Sequence, residues 1–296
     1  GQEAVVTALR NAIRDRRLAH ALLFAGPRGT GKTSVARIVA KALNCPNATD
    51  GEPCDRCPSC VAIREGRALD VVELDAASNR GIDEVRSLRE RLAYAPAELP
   101  RKVYILDEAH QITKDAWNAL LKSIEEPPDF VTFIFASTHP QGFPAAILSR
   151  LQRYDFRRLT VAEIAGKLET ILAAEGRAAD GEAVRLIAEL AAGGMRDAET
   201  ILDQLLATGR EAIRVDDVRD LLGLADPETV ESLVRALVGG DAVAGIALLD
   251  DLEERGRDLR TVLDQVVDRL RRLLLDEVAR GGDPSALVEV ARRLAA

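Results

Sequence analysis

Aromatic side chains are scarce in this chain: Phe, Tyr and Trp together make up 3% of its 296 residues. Its cores must therefore be aliphatic, and a nucleic-acid platform of stacked rings is excluded as its main device. Positive charge is not in excess either. Lys and Arg number 40 against 48 Asp and Glu, a net charge of −8. That balance argues against gripping a phosphate backbone by bulk electrostatics, so any contact with DNA needs a local basic face or an assembly. No apolar run approaches the roughly 20 residues of a membrane-spanning helix, and no signal peptide opens the chain, which points to the cytoplasm. Internal repeats and low-complexity tracts are also missing. Hydrophobic residues nevertheless make up 47% of the chain, which excludes a disordered polymer and leaves room for two or three domains. The first residue is Gly1 and helical periodicity begins almost at once. The expectation is a fragment trimmed at the N-terminus, and at the C-terminus as well.

The strongest feature present is Gly26-Pro27-Arg28-Gly29-Thr30-Gly31-Lys32-Thr33, followed by Ser34. It fits the phosphate-binding pattern G-x-x-x-x-G-K-[ST] at every fixed position. Glycines let the backbone curl so that successive N–H groups face phosphate oxygens. In that pattern Lys32 reaches the β- and γ-phosphates and the Thr33 hydroxyl coordinates Mg²⁺. Context supports it: Ala21–Ala25 reads as a buried strand. Ser34–Leu43 reads as a helix with Val35, Ile38, Val39 and Leu43 on one face. The helix N-terminus adds its partial positive charge.

Around this unit the α/β alternation is regular. An amphipathic helix is predicted from Gln2 to about Arg16, with Val5, Ala8, Leu9 and Ile13 inward. Strands are predicted at Val71–Leu74, Val103–Leu106, Val131–Ala136 and Arg153–Phe156, with helices at Ile82–Ala93 and Lys114–Glu126. This alternation implies a parallel sheet covered by helices on both faces. Thr160 reads as an N-cap, and no convincing strand follows it. Helices are predicted from Val161 to Leu222 and again from Pro227 to Leu294, and the turn residues Gly223 to Pro227 mark a boundary.

The third strand ends in Asp107-Glu108. Ligands of open parallel sheets sit at the carboxyl ends of strands, so these acids emerge beside the phosphate loop. Asp107 suits the Mg²⁺ shell, and Glu108 suits a base that polarises the attacking water, the mark of a hydrolase. All four cysteines fall in one window: Cys45, Cys54, Cys57 and Cys60. Four thiolates at that spacing can surround a structural Zn²⁺ with no position left for catalysis. Iron–sulfur ligation stays open on spacing alone.

Taken in order, the phosphate loop, the Asp107-Glu108-Ala109-His110 box, the cysteine knuckle, Leu120-Leu121-Lys122-Ser123-Ile124-Glu125-Glu126-Pro127-Pro128 and Ile147-Leu148-Ser149-Arg150 resemble the clamp-loader AAA+ ATPases, most closely the gamma/tau branch of the bacterial DNA polymerase III family. The resemblance covers essentially the whole chain. It implies a RecA-like AAA+ domain with a zinc knuckle over residues 1–158, an all-α lid over 159–223 and part of an all-α collar over 224–296. It further implies that Thr138 is a sensor of the γ-phosphate or lytic water and that Arg150 is an arginine finger acting in trans on a neighbouring subunit. Arg196 would be the arginine that couples the lid to nucleotide. The activity implied is ATP hydrolysis that opens a sliding clamp and loads it on primer–template DNA within a hetero-pentameric ring, with ATP, Mg²⁺ and Zn²⁺ as cofactors. Polymerase and helicase contacts would fall to a C-terminal extension missing here, and no polymerase site is expected in the chain. Leu151 and His139 depart from the family pattern, and His139 is expected to be solvated. Two other readings share parts of this pattern. A branch-migration or helicase-loader motor should lack the cysteines, and a non-hydrolysing scaffold subunit should lack Lys32 or Asp107-Glu108.

Overall fold

A computed structural model describes residues 1–79 and 81–294 of the chain. It divides into two compact units: Gly1–Gly166 with Ala188–Glu199, and Lys167–Ile187 with Thr200–Ala296, the last two positions of which lie outside the described residues.

The first unit is built on long apolar runs. Helix α1 (Glu3–Arg14) precedes β1 (Ala21–Ala25), α2 (Lys32–Asn44), α3 (Pro58–Arg64), β2 (Val71–Asp75) and α4 (Ile82–Leu92). Then come β3 (Lys102–Asp107), α5 (Lys114–Glu125), β4 (Val131–Ser137), α6 (Ala145–Leu148) and β5 (Gln152–Asp155). The sheet order is β2-β3-β4-β1-β5, and every neighbouring pair is parallel. All residues of β1 and β4 are buried, as expected of central strands covered on both faces. Side chains alternate between those faces. Leu22, Phe24, Ile105 and Ile134 pack with Val5 and Leu9 of α1, Ala36 and Val39 of α2 and Ile63 of α3. Leu23, Tyr104, Phe133 and Phe135 pack with Val85 and Leu88 of α4 and Trp117 and Leu120 of α5.

Several expectations need correction. Ile38 is 42% exposed and Ala8 is also exposed. The inner face of α2 uses the small Ala36 and Ala40 beside Val39, which lets the helix approach the sheet closely. Helix α3 was not anticipated. It starts where the Cys57 side chain accepts the Cys60 N–H and Pro58 occupies the first turn, a start signal hidden among loop-forming residues.

The remaining helices are α7 (Val161–Ala174), α8 (Gly181–Leu190), α9 (Met195–Ala207), α10 (Val215–Leu222), α11 (Pro227–Gly239), α12 (Ala242–Glu254), α13 (Leu259–Ala279) and α14 (Ser285–Leu294). Thr160 does cap α7: its hydroxyl accepts the Glu163 N–H at 3.2 Å while the Glu163 carboxylate accepts the Thr160 N–H at 2.8 Å. This is the reciprocal capping box. Against expectation, a short parallel pair occurs after Thr160, β6 (Ala178–Ala179) with β7 (Ala212–Ile213). Two residues are too few to show alternation. In the second unit, Val230, Leu233, Val234, Leu252, Val262, Val266 and Leu270 of α11, α12 and α13 form an aliphatic core. Asp226, Asp241 and Asp258 cap these three helices. An apolar cavity of about 360 Å³ opens between them, lined by Leu237, Ile246, Leu249 and Leu263 among others.

Candidate nucleotide site and cysteine cluster

Parallel pairing aligns the carboxyl ends of the strands, with Ala25 opposite Ser137 and Asp75 opposite Asp107. The loop after β1, the acids that end β3 and Thr138 after β4 therefore leave the sheet at one edge. A Cβ on Gly26 would stand 2.3 Å from the Phe156 carbonyl oxygen, so only glycine lets the loop turn there. Gly29 has φ +74, and its carbonyl accepts the Met195 N–H at 2.8 Å. This contact brings the Gly194–Arg196 segment against the loop. Arg28 and Ser34 are exposed, whereas Thr30 is buried and its hydroxyl donates to the Pro27 carbonyl at 2.8 Å.

Lys32 is buried, and its ammonium donates to the carbonyls of Gly26 at 2.8 Å and Pro27 at 2.7 Å. Burial pulls its pKa down, and the charges of Glu108 and Asp107 oppose the shift. The Thr33 hydroxyl donates to Asp107 Oδ2 at 2.7 Å, and Asp107 Oδ1 accepts the Glu108 N–H at 2.9 Å. A hydroxyl and a carboxylate already in contact at the head of α2 are an oxygen-donor pair that fits Mg²⁺. Glu108 adopts φ +46, a left-handed conformation that costs a non-glycine residue on the order of 1–2 kcal/mol. Its Oε2 accepts the Thr138 hydroxyl at 3.1 Å and lies 3.4 Å from His110 Nδ1. His139, expected to be solvated, is exposed but engaged: its Nδ1 is 2.9 Å from the Thr138 hydroxyl and its ring packs on His110.

Thr33, Asp107, Glu108 and Thr138 thus form one contiguous hydrogen-bonded network, with the buried Lys32 beside it. Arg150 is held elsewhere. Its Nη2 lies 2.6 Å from Glu125 Oε1 in an ion pair, and its Nη1 donates to the Ala146 carbonyl at 2.6 Å and to Ser149 Oγ at 3.1 Å. Sequence reasoning missed two tethers. Gln2 donates to the Thr30 carbonyl at 3.3 Å and to the Arg157 carbonyl at 2.8 Å, which ties the start of the chain to the loop. Glu125 is the other; its only advance signal is an acid in the last turn of a helix.

The four cysteines converge. Their sulfurs all lie within 4.8 Å of one another, and Cys45 Sγ is 3.9 Å from Cys57 Sγ. Sulfurs of a tetrahedral Zn²⁺ site stand about 3.8 Å apart, given a Zn–S bond of about 2.3 Å. Every cysteine is a free thiol. Backbone N–H groups of Arg56 and Cys57 lower the Cys54 pKa to about 6, while burial pushes Cys60 up to about 12. Ionising four such neighbours together needs a cation among them, so the donor set fits a metal. The Asp55 carboxylate between these ligands pairs with the buried Lys41 of α2, which ties the knuckle to the helix that begins at the phosphate loop.

Comparison with known proteins agrees along the length of the chain. Residues 1–160 match the family described as DNA polymerase III, delta subunit. Residues 163–211 match the ATPase lid domain of the DNA polymerase III clamp loader subunit, and residues 213–295 match domain III of DNA polymerase III subunits gamma and tau. DNA polymerase III subunit tau of Bacillus subtilis is 40% identical over 281 residues, covering 95% of this chain and 50% of the relative. The Escherichia coli subunit tau is 39% identical over 298 residues, covering 100% of this chain and 46% of the relative. The chain thus spans about half the length of these curated relatives. Among solved structures, the Thermotoga maritima RuvB Holliday junction branch migration motor superposes with a TM-score of 0.54 at 17% identity, over 90% of this chain and 87% of that one. That likeness shows the RecA-like AAA+ fold alone. With matches to all three segments, the chain belongs to the DNA polymerase III clamp-loader subunit family.

Proposed function

We propose that this chain is an ATP-hydrolysing motor subunit of a bacterial clamp loader, which opens a sliding clamp and places it on primer–template DNA. The observation that carries the reading is the network at the sheet edge: Thr33 on Asp107 at 2.7 Å, with Glu108 on Thr138 at 3.1 Å beside the buried Lys32. In it the backbone from Gly26 to Ser34 cradles the phosphates of ATP, and Lys32 neutralises the β- and γ-phosphates. Thr33 and Asp107 would hold Mg²⁺, which when bound offsets phosphate charge. Glu108 takes the proton of the attacking water, Thr138 orients that water, and Arg196 reports nucleotide to the lid. Arg150 serves a neighbouring subunit's site in trans. Cys45, Cys54, Cys57 and Cys60 hold a structural Zn²⁺.

The proposed division is an ATPase domain over residues 1–158, a lid over 159–223 and a collar over 224–296. Its partners are the other subunits of a hetero-pentameric ring, the clamp and, through the assembly, DNA; polymerase and helicase would bind a C-terminal extension. The compartment is the cytoplasm. ATP must favour the assembled, clamp-binding state over the free one, as any population shift requires. A branch-migration motor has only the shared fold in its favour, and the cysteine cluster speaks against it. A non-hydrolysing scaffold has no need of Lys32 with Asp107 and Glu108.

The test is ATP turnover measured with clamp, partner subunits and primed DNA, added singly and together. Strong stimulation only by the complete set is expected. Equal stimulation by branched DNA without any clamp would overturn the reading.

A further inference from the structure

The run Leu120–Pro128 has no part in the chemistry above, yet its two acids break a local rule. Helix α5 ends at Glu125, and Glu126 follows as its C-cap with φ −130 and ψ 67. Pro127 cannot extend the helix and biases Glu126 away from helical geometry. The carbonyl end of a helix carries partial negative charge, so carboxylates there are disfavoured. Local rules are broken where function outweighs them. The cation that answers Glu125 is Arg150, 25 residues away in sequence and just past α6.

The pair contributes little to stability. Arg150 and Glu125 are 38% and 37% exposed, and ion pairs this accessible are nearly neutral to folding. What it does is hold a long side chain in one place. Arg150 uses both N–H donors of Nη1 on the Ala146 carbonyl and Ser149 Oγ, and its Nη2 is drawn to Glu125 Oε1 by the ion pair. The Nε–H makes no hydrogen bond among the described residues, which leaves the Nε edge for a phosphate oxygen. An arginine left loose would have to be ordered at each encounter with a neighbour's nucleotide; one already held arrives oriented.

We propose that Glu125 is a positioning residue for Arg150, setting the guanidinium on α6 so that it meets a neighbouring subunit's triphosphate in its reactive orientation. The inference rests on the reading of Arg150 as the residue that acts in trans. Glu125 itself touches no substrate.

The experiment uses the full-length chain assembled with its partner subunits, clamp and primed DNA, and compares Glu125→Gln, Glu125→Asp, Arg150→Ala and the Glu125→Gln/Arg150→Ala double variant. Melting temperature is recorded for each. Arg150→Ala is expected to lower kcat for ATP by about 10³-fold, as loss of such an arginine does. Glu125→Gln should lower kcat about 5- to 10-fold with KM for ATP within about twofold, the size of effect that orientation of one group supplies. Glu125→Asp, which keeps the charge on a shorter arm, should fall between. In the Arg150→Ala background the Glu125 change should have no further effect, because coupled residues are not additive. Effects that multiply, or a Glu125→Gln variant that turns over as fast as or faster than the parent, would overturn the assignment of Glu125 alone. An Arg150→Ala assembly with undiminished turnover would overturn the in-trans reading, and this inference with it.

Discussion

The two ends of this molecule are made of different material. Every Phe, Tyr, Trp, His and Cys lies at or before residue 156, and beyond residue 160 there is a single Lys, Lys167. The α/β region spends stability on chemistry: a buried lysine, a glutamate in left-handed backbone and glycines that a Cβ would displace. Among the described residues, the helices from α11 to α14 bury no charge and hold no non-glycine residue in left-handed backbone. They have acidic N-caps, left-handed glycine at Gly240 and an aliphatic core. Their unusual feature is outside, where Val243 is 81%, Ile246 59% and Leu263 43% exposed. Isolated exposed apolar residues are ordinary, but these stand in one group beside the apolar cavity. One region carries backbone strain and buried charge at its candidate nucleotide site, and the other leaves apolar side chains exposed around a cavity.

The sharpest way to break that contrast is to remove the strain. Because burial depresses the Lys32 pKa, holding its ammonium in place costs stability. Lys32→Ala is therefore expected to leave the melting temperature unchanged or slightly higher while nucleotide binding falls below detection. Glu108→Gln should keep nucleotide affinity and lose about 10²–10³-fold in kcat, in line with removal of a general base. Isothermal titration with a non-hydrolysable analogue separates the two variants. A Lys32→Ala protein that unfolds would show the lysine to be structural, and the contrast would collapse.

Next in size is the cysteine cluster, the one part of the α/β region that is staple rather than chemistry. Metal analysis of the purified protein should find about one zinc per chain. Cys57→Ser with Cys60→Ser should lower the melting temperature by several degrees, since structural zinc contributes folding energy directly. The loss should concentrate in residues 44–64 by hydrogen exchange, with little change around α11–α13. Uniform loss of protection across both regions would mean that they do not fold as separate units.

The same contrast explains what could be read in advance. Central strands such as Val131–Ser137 are buried along their whole length, so the sequence there is almost wholly apolar, with Thr132 its one interior polar residue, and the bounds move by one residue. The phosphate loop and the acids that end β3 are legible because phosphate and Mg²⁺ constrain residue type as well as spacing. Contacts set by tertiary packing leave no such trace. Gln2 reaches the loop across 28 residues, and Glu125 reaches Arg150 across 25. The β6–β7 pair spans only two residues. Helix α3 was hidden because its capping residue is a cysteine, which the sequence offers first as a metal ligand.

A third intervention addresses the exposed apolar face. Ile246→Asp on α12 should leave the melting temperature of the isolated chain within about a degree, because the side chain already faces water. Burying an isoleucine contributes roughly 1.5–3 kcal/mol. The substitution should therefore weaken association with the other clamp-loader subunits by tenfold or more, measured by sedimentation velocity. An assembly constant that does not move would shift the subunit contacts away from this face.

The smallest effect lies at the Thr160–Glu163 box, where the chain changes from one material to the other. Loss of an N-cap hydroxyl costs about 1 kcal/mol, so Thr160→Ala should lower the melting temperature by a few degrees without changing nucleotide affinity. The Glu163 carboxyl, bonded to the Arg157 guanidinium and the Thr160 N–H, has its pKa lowered from 4.5 to about 2. A carboxylate with a depressed folded-state pKa lends its stability in full above the unfolded value and loses it as pH falls through the folded one. The capping contribution should thus be complete above pH 4.5 and vanish toward pH 2. Glu163→Gln should flatten that part of the acid-unfolding curve and leave the neutral-pH response to nucleotide as it was. If the glutamine variant instead changes affinity for ATP at neutral pH, the cap is coupled to the nucleotide site, and a contrast between a strained region and one with an exposed apolar face no longer describes how the chain works.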